Sequence, residues 1–175
     1  MLYDIDRKNE IVNALINKQM YSNGCCVMIS DIVPPSFWQV YPNLKETIDK
    51  ICVSSLKHLT GYFMKRGIQY SVTSYNGRFS LHYFLHIEFP AVIVKRIAIQ
   101  LEEISPYYRM LDIDVYKLGF QVSRKNLDYP PRNCIVCNNS AVKCIFNSTH
   151  SKDVIYQSFQ RLIENFQLIS EKLIK

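Results

Sequence analysis

The sequence predicts an α+β domain spanning residues 1–175, with a mostly antiparallel sheet and flanking helices. Three observations carry that expectation. Asn76-Gly77 stands between two runs of alternating apolar residues, a strong short-range signal for a β-hairpin. Residues 43–65 carry Ile48, Ile51, Cys52, Ser55, Leu59 and Phe63 at the spacing of one helical face. Leu111-Asp112-Ile113-Asp114-Val115 alternates aliphatic and acidic residues, the pattern of a half-buried strand.

Taken in order, the elements read α-β-α-β-β-α-β-β, then a loop and terminal helices. Residues 6–20 form a first helix on Val12, Ile16 and Met20, and 24–30 a short apolar strand. Pro34-Pro35 breaks the chain before an aromatic connection through Phe37, Trp38 and Tyr41. The helix over 43–65 ends at Gly67, a typical C-terminal stop. The hairpin covers 68–88, with Phe79, Leu81, Tyr83, Leu85 and Ile87 on one face. His82 and His86 share the opposite face about 13 Å apart, too far for one metal, and read as a solvated or ligand-facing wall. Pro90 opens a helix to residue 104. The Asp112 strand turns at Leu118-Gly119 into 120–124, and a closing helix runs over 151–173.

Asp112 and Asp114 lie two apart, so they project from the same strand face with backbones about 6.5–7 Å apart. Two carboxylates at that distance can converge on one divalent cation, and Arg109 beside them makes a phosphate site. A solvated strand edge explains the same pair without chemistry. Arg124 and Arg132 offer planar forks for phosphate oxygens, or serve surface solubility. Of six cysteines, Cys25, Cys26 and Cys52 lie in apolar runs and read as packing residues. Cys134, Cys137, Cys144 and His150 have C-x2-C-x6-C-x5-H spacing. That set can supply three thiolates and an imidazole to structural zinc, or form a cysteine-bearing loop tucked against the core.

At 175 residues and 48% hydrophobic content the chain can build a proper core. Its net charge of +6 favours anionic partners: polyphosphates, nucleic acid or an acidic protein. No apolar run of signal-peptide or membrane-span length is present, so a cytoplasmic protein without membrane contact is expected.

The order Arg109-Met110-Leu111-Asp112-Ile113-Asp114-Val115, Ser123-Arg124, Pro131-Arg132-Asn133-Cys134-Ile135-Val136-Cys137, Ala141, Cys144 and His150-Ser151 resembles a known family. It is that of the citrate lyase holo-acyl-carrier-protein synthases, the CitX-like apo-citrate lyase phosphoribosyl-dephospho-CoA transferases. The match is dense from Arg109 to His150 and thinner upstream, at Lys95-Arg96 and Glu102-Glu103. The resemblance implies a nucleotidyltransferase-like fold and the transfer of phosphoribosyl-dephospho-CoA from 2′-(5″-triphosphoribosyl)-3′-dephospho-CoA to a carrier serine, with loss of diphosphate. The acidic acyl carrier subunit of citrate lyase is then the partner, and no nucleic acid is expected. Asp112, Asp114 and Arg109 are implied as catalytic, with Mg²⁺ on the two aspartates, and Ser123, Arg124 and Arg132 as substrate-binding.

The chain departs from the family pattern at three places. Tyr108 stands where the family has glycine, Cys144-Ile145-Phe146-Asn147 lacks an arginine, and Asp31-Ile32-Val33-Pro34-Pro35 lacks a glycine and a lysine. These departures keep a second possibility open, a member that binds carrier or precursor without turnover. A third, from the basic charge and the Cys/His cluster, is a zinc-stabilised module binding RNA or an acidic protein.

Overall fold

Alternation along the sequence becomes pairing in space. In a computed structural model describing residues 2–18, 23–76 and 81–173, Cys25–Asp31 (β1), Tyr70–Asn76 (β2), Leu81–Ile87 (β3), Leu111–Lys117 (β4) and Phe120–Gln121 (β5) form one antiparallel sheet. The strand order is β2-β3-β1-β4-β5. The expected α+β class and antiparallel sheet are both present. Gly77 of the expected hairpin turn lies outside the described residues.

The helices are Leu2–Asn17 (α1), Pro35–Val40 (α2), Lys45–Met64 (α3), Ala91–Ile104 (α4), Ala141–Phe146 (α5) and Lys152–Leu173 (α6). α1 begins and ends earlier than its apolar spacing indicated, and Met20 lies outside the described residues. The aromatic connection is itself helical. Pro35 occupies the first turn of α2, where its missing N–H costs nothing, and buries Phe37 and Trp38. α3 buries the six residues its periodicity singled out. Gly67 follows it at φ +66, a left-handed conformation in which its N–H reaches the Met64 carbonyl.

One face of the sheet, including Val27, Ile29, Leu85, Ile87, Ile113 and Val115, is fully buried in one apolar cluster with α3, α4 and α6. Burial on this scale is the main stabilising term of the fold. The other face sets Asp112, Asp114 and Tyr116 opposite Ser30, Met28 and Cys26 of β1. Those in turn register with Phe84 and His86 of β3. His82 and His86 are buried, not the solvated or ligand-facing wall expected of them. The correction has a physical cause: a neutral imidazole tolerates burial, and burial holds His86 below the usual histidine range, helped by the charge of Lys18.

The turn after β4 has φ +51 at Leu118 and +80 at Gly119, the left-handed pair a tight hairpin needs. β5 keeps only two residues of the expected 120–124 strand. The edge of β4 beyond it is left to α4, and Lys95 donates to the Ile113 carbonyl at 2.8 Å. Among the described residues, no helix is long and apolar enough to cross a membrane.

Candidate active site

The aspartate face of β4 looks into a cavity of about 1280 Å³, walled by α4, by the 121–136 segment and by α5. Asp112 and Asp114 both line it. Strand alternation puts them there while Leu111, Ile113 and Val115 are wholly buried behind. Asp114 is the deeper carboxylate, 13% exposed against 46% for Asp112.

Cations converge on them from two directions. Lys95 of α4, almost fully buried, brings its ammonium to 3.7 Å from Asp114 Oδ1. Arg132 brings Nη2 to 3.8 Å from Asp112 Oδ1. Seven residues along α4 from Lys95, two helical turns and so on the same face, Glu102 holds the arginines. Arg132 Nη2 donates to its Oε1 at 2.6 Å and Arg124 Nη2 to its Oε2 at 2.7 Å. Arg124 also reaches Glu103 at 3.3 Å. Glu102 is only 4% exposed, so this carboxylate is spent on orienting two guanidinium groups.

Burial and the neighbouring charge of Asp114 hold the Asp112 carboxyl above the usual carboxylate range, against the pull of Arg132. Tyr116, next on the same face, is pushed up to about 12 by burial and by both aspartates. Lys95, Arg124 and Arg132 balance Asp112, Asp114 and Glu102 in formal charge. The cavity is therefore neutral by itself and gains net positive charge when a divalent ion joins it. Such an environment suits a polyphosphate.

Ser123 lines the cavity, but its Oγ is engaged with Asn126 Oδ1 at 2.6 Å, bracing the turn that carries Arg124. Arg109 is not among the cavity-lining residues. Its Nη2 donates to the backbone carbonyls of Asn133 and Cys134, tying the start of β4 to the loop beyond Arg132. Tyr108 turns into the core, its hydroxyl 2.9 Å from Ser54 Oγ, and its φ is not positive. A glycine's conformational freedom is not used at this position. Of the other departures, Ile32 and Pro34 line the cavity, and Phe146 is 87% exposed.

Lys95 and Glu102 were named in the sequence only as parts of two charged pairs. Their signal was two charges seven apart on the apolar face of an amphipathic helix, where a merely solvated charge has no reason to be.

On the cavity wall itself, where Cys134, Cys144 and His150 are among the lining residues, the second cluster is assembled. The ligand atoms of Cys134, Cys137, Cys144 and His150 all lie within 4.8 Å of one another, an arrangement that can hold a metal ion. Cys137 Sγ is 3.6 Å from Cys144 Sγ and 3.4 Å from His150 Nε2. Burial raises the Cys134 thiol, but N–H groups of Val136 and Cys137 and the Cys144 and Cys137 thiols together bring it below the usual range. By contrast Cys25 and Cys26, packed as expected, are pushed up to about 12 by burial.

Sheet and cavity together define a protein that presents paired carboxylates, a buried lysine and two carboxylate-held arginines to one cavity. The chain belongs to the CitX family, described as apo-citrate lyase phosphoribosyl-dephospho-CoA transferase, whose model matches residues 37–166. That stretch contains every charged residue of the cavity and the Cys/His cluster. An apo-citrate lyase phosphoribosyl-dephospho-CoA transferase of Citrobacter koseri is 41% identical over 69 residues, 39% of this chain and 38% of the relative. One from Escherichia coli is 34% identical over 82 residues, 46% of this chain and 45% of the relative. Protein CitXG of Haemophilus influenzae is 30% identical over 122 residues, 67% of this chain and 26% of the relative. The aligned stretches thus span less than half of these curated relatives.

Proposed function

We propose that the protein transfers the phosphoribosyl-dephospho-CoA group of 2′-(5″-triphosphoribosyl)-3′-dephospho-CoA to a serine of the acidic acyl carrier subunit of citrate lyase. The observation that carries this is the meeting of Asp112 and Asp114 with Lys95, Arg124 and Arg132 in one cavity, inside the stretch matched by the family. The serine oxygen attacks the phosphorus nearest the ribose and gives up its proton to water, and the bond to the next phosphate breaks as diphosphate leaves with the electron pair.

Asp112 and Asp114 are the residues that would hold Mg²⁺. The donor set fits: two carboxylates suffice for an ion that keeps most of its waters, and their mutual repulsion, felt in the raised Asp112, is what a cation relieves. The ion would offset negative charge gathering on the departing diphosphate. Arg124 and Arg132, oriented through Glu102, keep further N–H groups for phosphate oxygens. Lys95, pinned by the Ile113 carbonyl, adds a fixed positive charge beside Asp114. Arg109, expected to be catalytic, donates to the Asn133 and Cys134 carbonyls and supports the wall from outside the cavity lining. The thiolate-rich cluster is a metal site of another kind, and its donors suit zinc.

The test is mass spectrometry of the apo carrier after incubation with protein, precursor and Mg²⁺. A mass gain equal to the prosthetic group, together with diphosphate release, is expected. A carrier that stays unmodified while a CitX relative modifies it would refute the proposal.

A further inference from the structure

We infer that a zinc ion closed in by Cys134, Cys137, Cys144 and His150 is the device that positions Arg132 in the cavity. It rests on zinc as the ion of that cluster. The geometry supports zinc first. A tetrahedral ion with Zn–S of about 2.3 Å and Zn–N of about 2.0–2.1 Å separates its ligand atoms by about 3.5–3.8 Å. The 3.6 Å sulfur–sulfur and 3.4 Å sulfur–nitrogen approaches are close to those edges. All six cysteines of the chain are free thiols, so the approach is not a disulfide. Three thiolates and an imidazole fill four positions and leave none for a substrate, which makes the site structural. Binding releases the thiol protons and leaves one net negative charge, with the Arg109 guanidinium donating to the Cys134 carbonyl alongside.

A second observation is independent of the ligand geometry. From residue 128 to 150 the only buried side chains are Cys134 and Cys144. Val142, Ile145 and Phe146 are 70%, 78% and 87% exposed. Apart from Ile135, half-buried against the main core, the segment has little hydrophobic means of holding one conformation. Its backbone nevertheless carries a built pattern. Asn133 bridges to Ser140, the Cys134 N–H donates to the Asn139 carbonyl, and the Ala141 N–H donates to the Arg132 carbonyl. These bonds tie residues 132–134 to 139–141, next to the ligands Cys134 and Cys144, and Arg132 sits two residues before the first ligand. The ion thus fixes the backbone from which Arg132 reaches Glu102 at 2.6 Å and Asp112 at 3.8 Å. Zinc, with all four of its positions filled by the protein, therefore acts on the cavity through the placement of Arg132.

The experiment uses the full chain and no substrate, so its outcome is separate from that of the transferase proposal. Metal analysis of protein purified without added zinc should find about one equivalent. Replacement by Co²⁺ should give the visible spectrum of tetrahedral thiolate coordination. After chelation, or in Cys137→Ser, a protease should cut between 134 and 150 where the zinc form resists. Arg132→Gln should lower the melting temperature of the zinc form by about 4–8 °C and leave that of the zinc-free form unmoved, because the pair with Glu102 is already lost there. Absence of zinc, with thiols that titrate freely or join as a Cys137–Cys144 disulfide, would overturn the inference. An equal Arg132→Gln shift with and without zinc would overturn the coupling and leave a simple staple. Global loss of helical signal in both chelated protein and Cys137→Ser would overturn it too, making the ion a requirement of the whole fold.

Discussion

Replacing Glu102 by glutamine keeps the size of the side chain and removes one charge. Its two oxygens accept from Arg132 at 2.6 Å and from Arg124 at 2.7 Å. In the variant one of them becomes an NH₂ group that faces a guanidinium donor. Breaking a buried ion pair costs about 3–5 kcal/mol. The arginine side chains are 16% and 22% exposed, so water recovers part of the loss and about 2–4 kcal/mol is expected. For a chain of this length each kcal/mol moves the melting temperature by about 2–4 °C, giving a drop of about 5–15 °C. The neighbouring Glu103 pairs with Arg124 at 3.3 Å from a side chain 62% exposed, and Glu103→Gln should move the transition by about 2 °C or less. Thermal unfolding followed by circular dichroism, both variants in one buffer, reads the difference. Equal shifts, or a Glu102→Gln transition within 2 °C of the parent, would refute the picture of Glu102 as the holder of both arginines.

Asp112→Asn and Asp114→Asn should each slow carrier modification on the order of a few hundredfold while far-UV spectra stay unchanged, since neither side chain enters the main apolar cluster; near-parental rates would remove the pair from the chemistry. Burial pushes Asp31 up to about 6 from 3.8, so the folded state holds an extra proton between those values and stability falls as pH rises through that window. Asp31→Asn should flatten this slope and gain about 1–3 kcal/mol at pH 7, read by urea unfolding at pH 4 and 7. Gly119 sits at φ +80, a left-handed conformation that strains any residue with a Cβ, while the end of the Asn17 side chain beside it can swing aside. Gly119→Ala should therefore cost about 1–2 kcal/mol, and an unchanged urea midpoint would count against a strained turn. Tyr108→Phe, losing the hydrogen bond to Ser54, should cost about 1 kcal/mol with carrier modification unaffected.

Local patterns were legible and long-range partnerships were not. The face of α3, the strand carrying Asp112 and the turn at Leu118-Gly119 each depend on residues a few positions apart, so period and turn chemistry revealed them. The cavity brought Asp112, Asp114, Arg124 and Arg132 together as the sequence had grouped them. The role of Glu102 depends on partners 22 and 30 residues away, which no periodicity encodes. Arg109 was read as facing a phosphate because Asp112 is close in sequence, yet the short 3₁₀ turn Pro106–Met110 aims it at the 133–134 carbonyls. The histidines of β3 were read by polarity alone, and an imidazole that stays neutral can be buried where a charged side chain could not.

The hydrogen bond from Lys95 to Ile113 has a meaning for solubility as well. β5 pairs only with Tyr116 and Lys117, and the margin of β4 beyond it, of the kind that could recruit a foreign strand, is closed by single bonds: the Val122 N–H on the Val115 carbonyl and Lys95 on the Ile113 carbonyl. An ammonium seated on that margin makes strand addition unfavourable, because an incoming peptide would have to displace a buried charge. The lysine that faces Asp114 thereby also guards the molecule against self-association, and a substitution there exposes the chain to two losses at once.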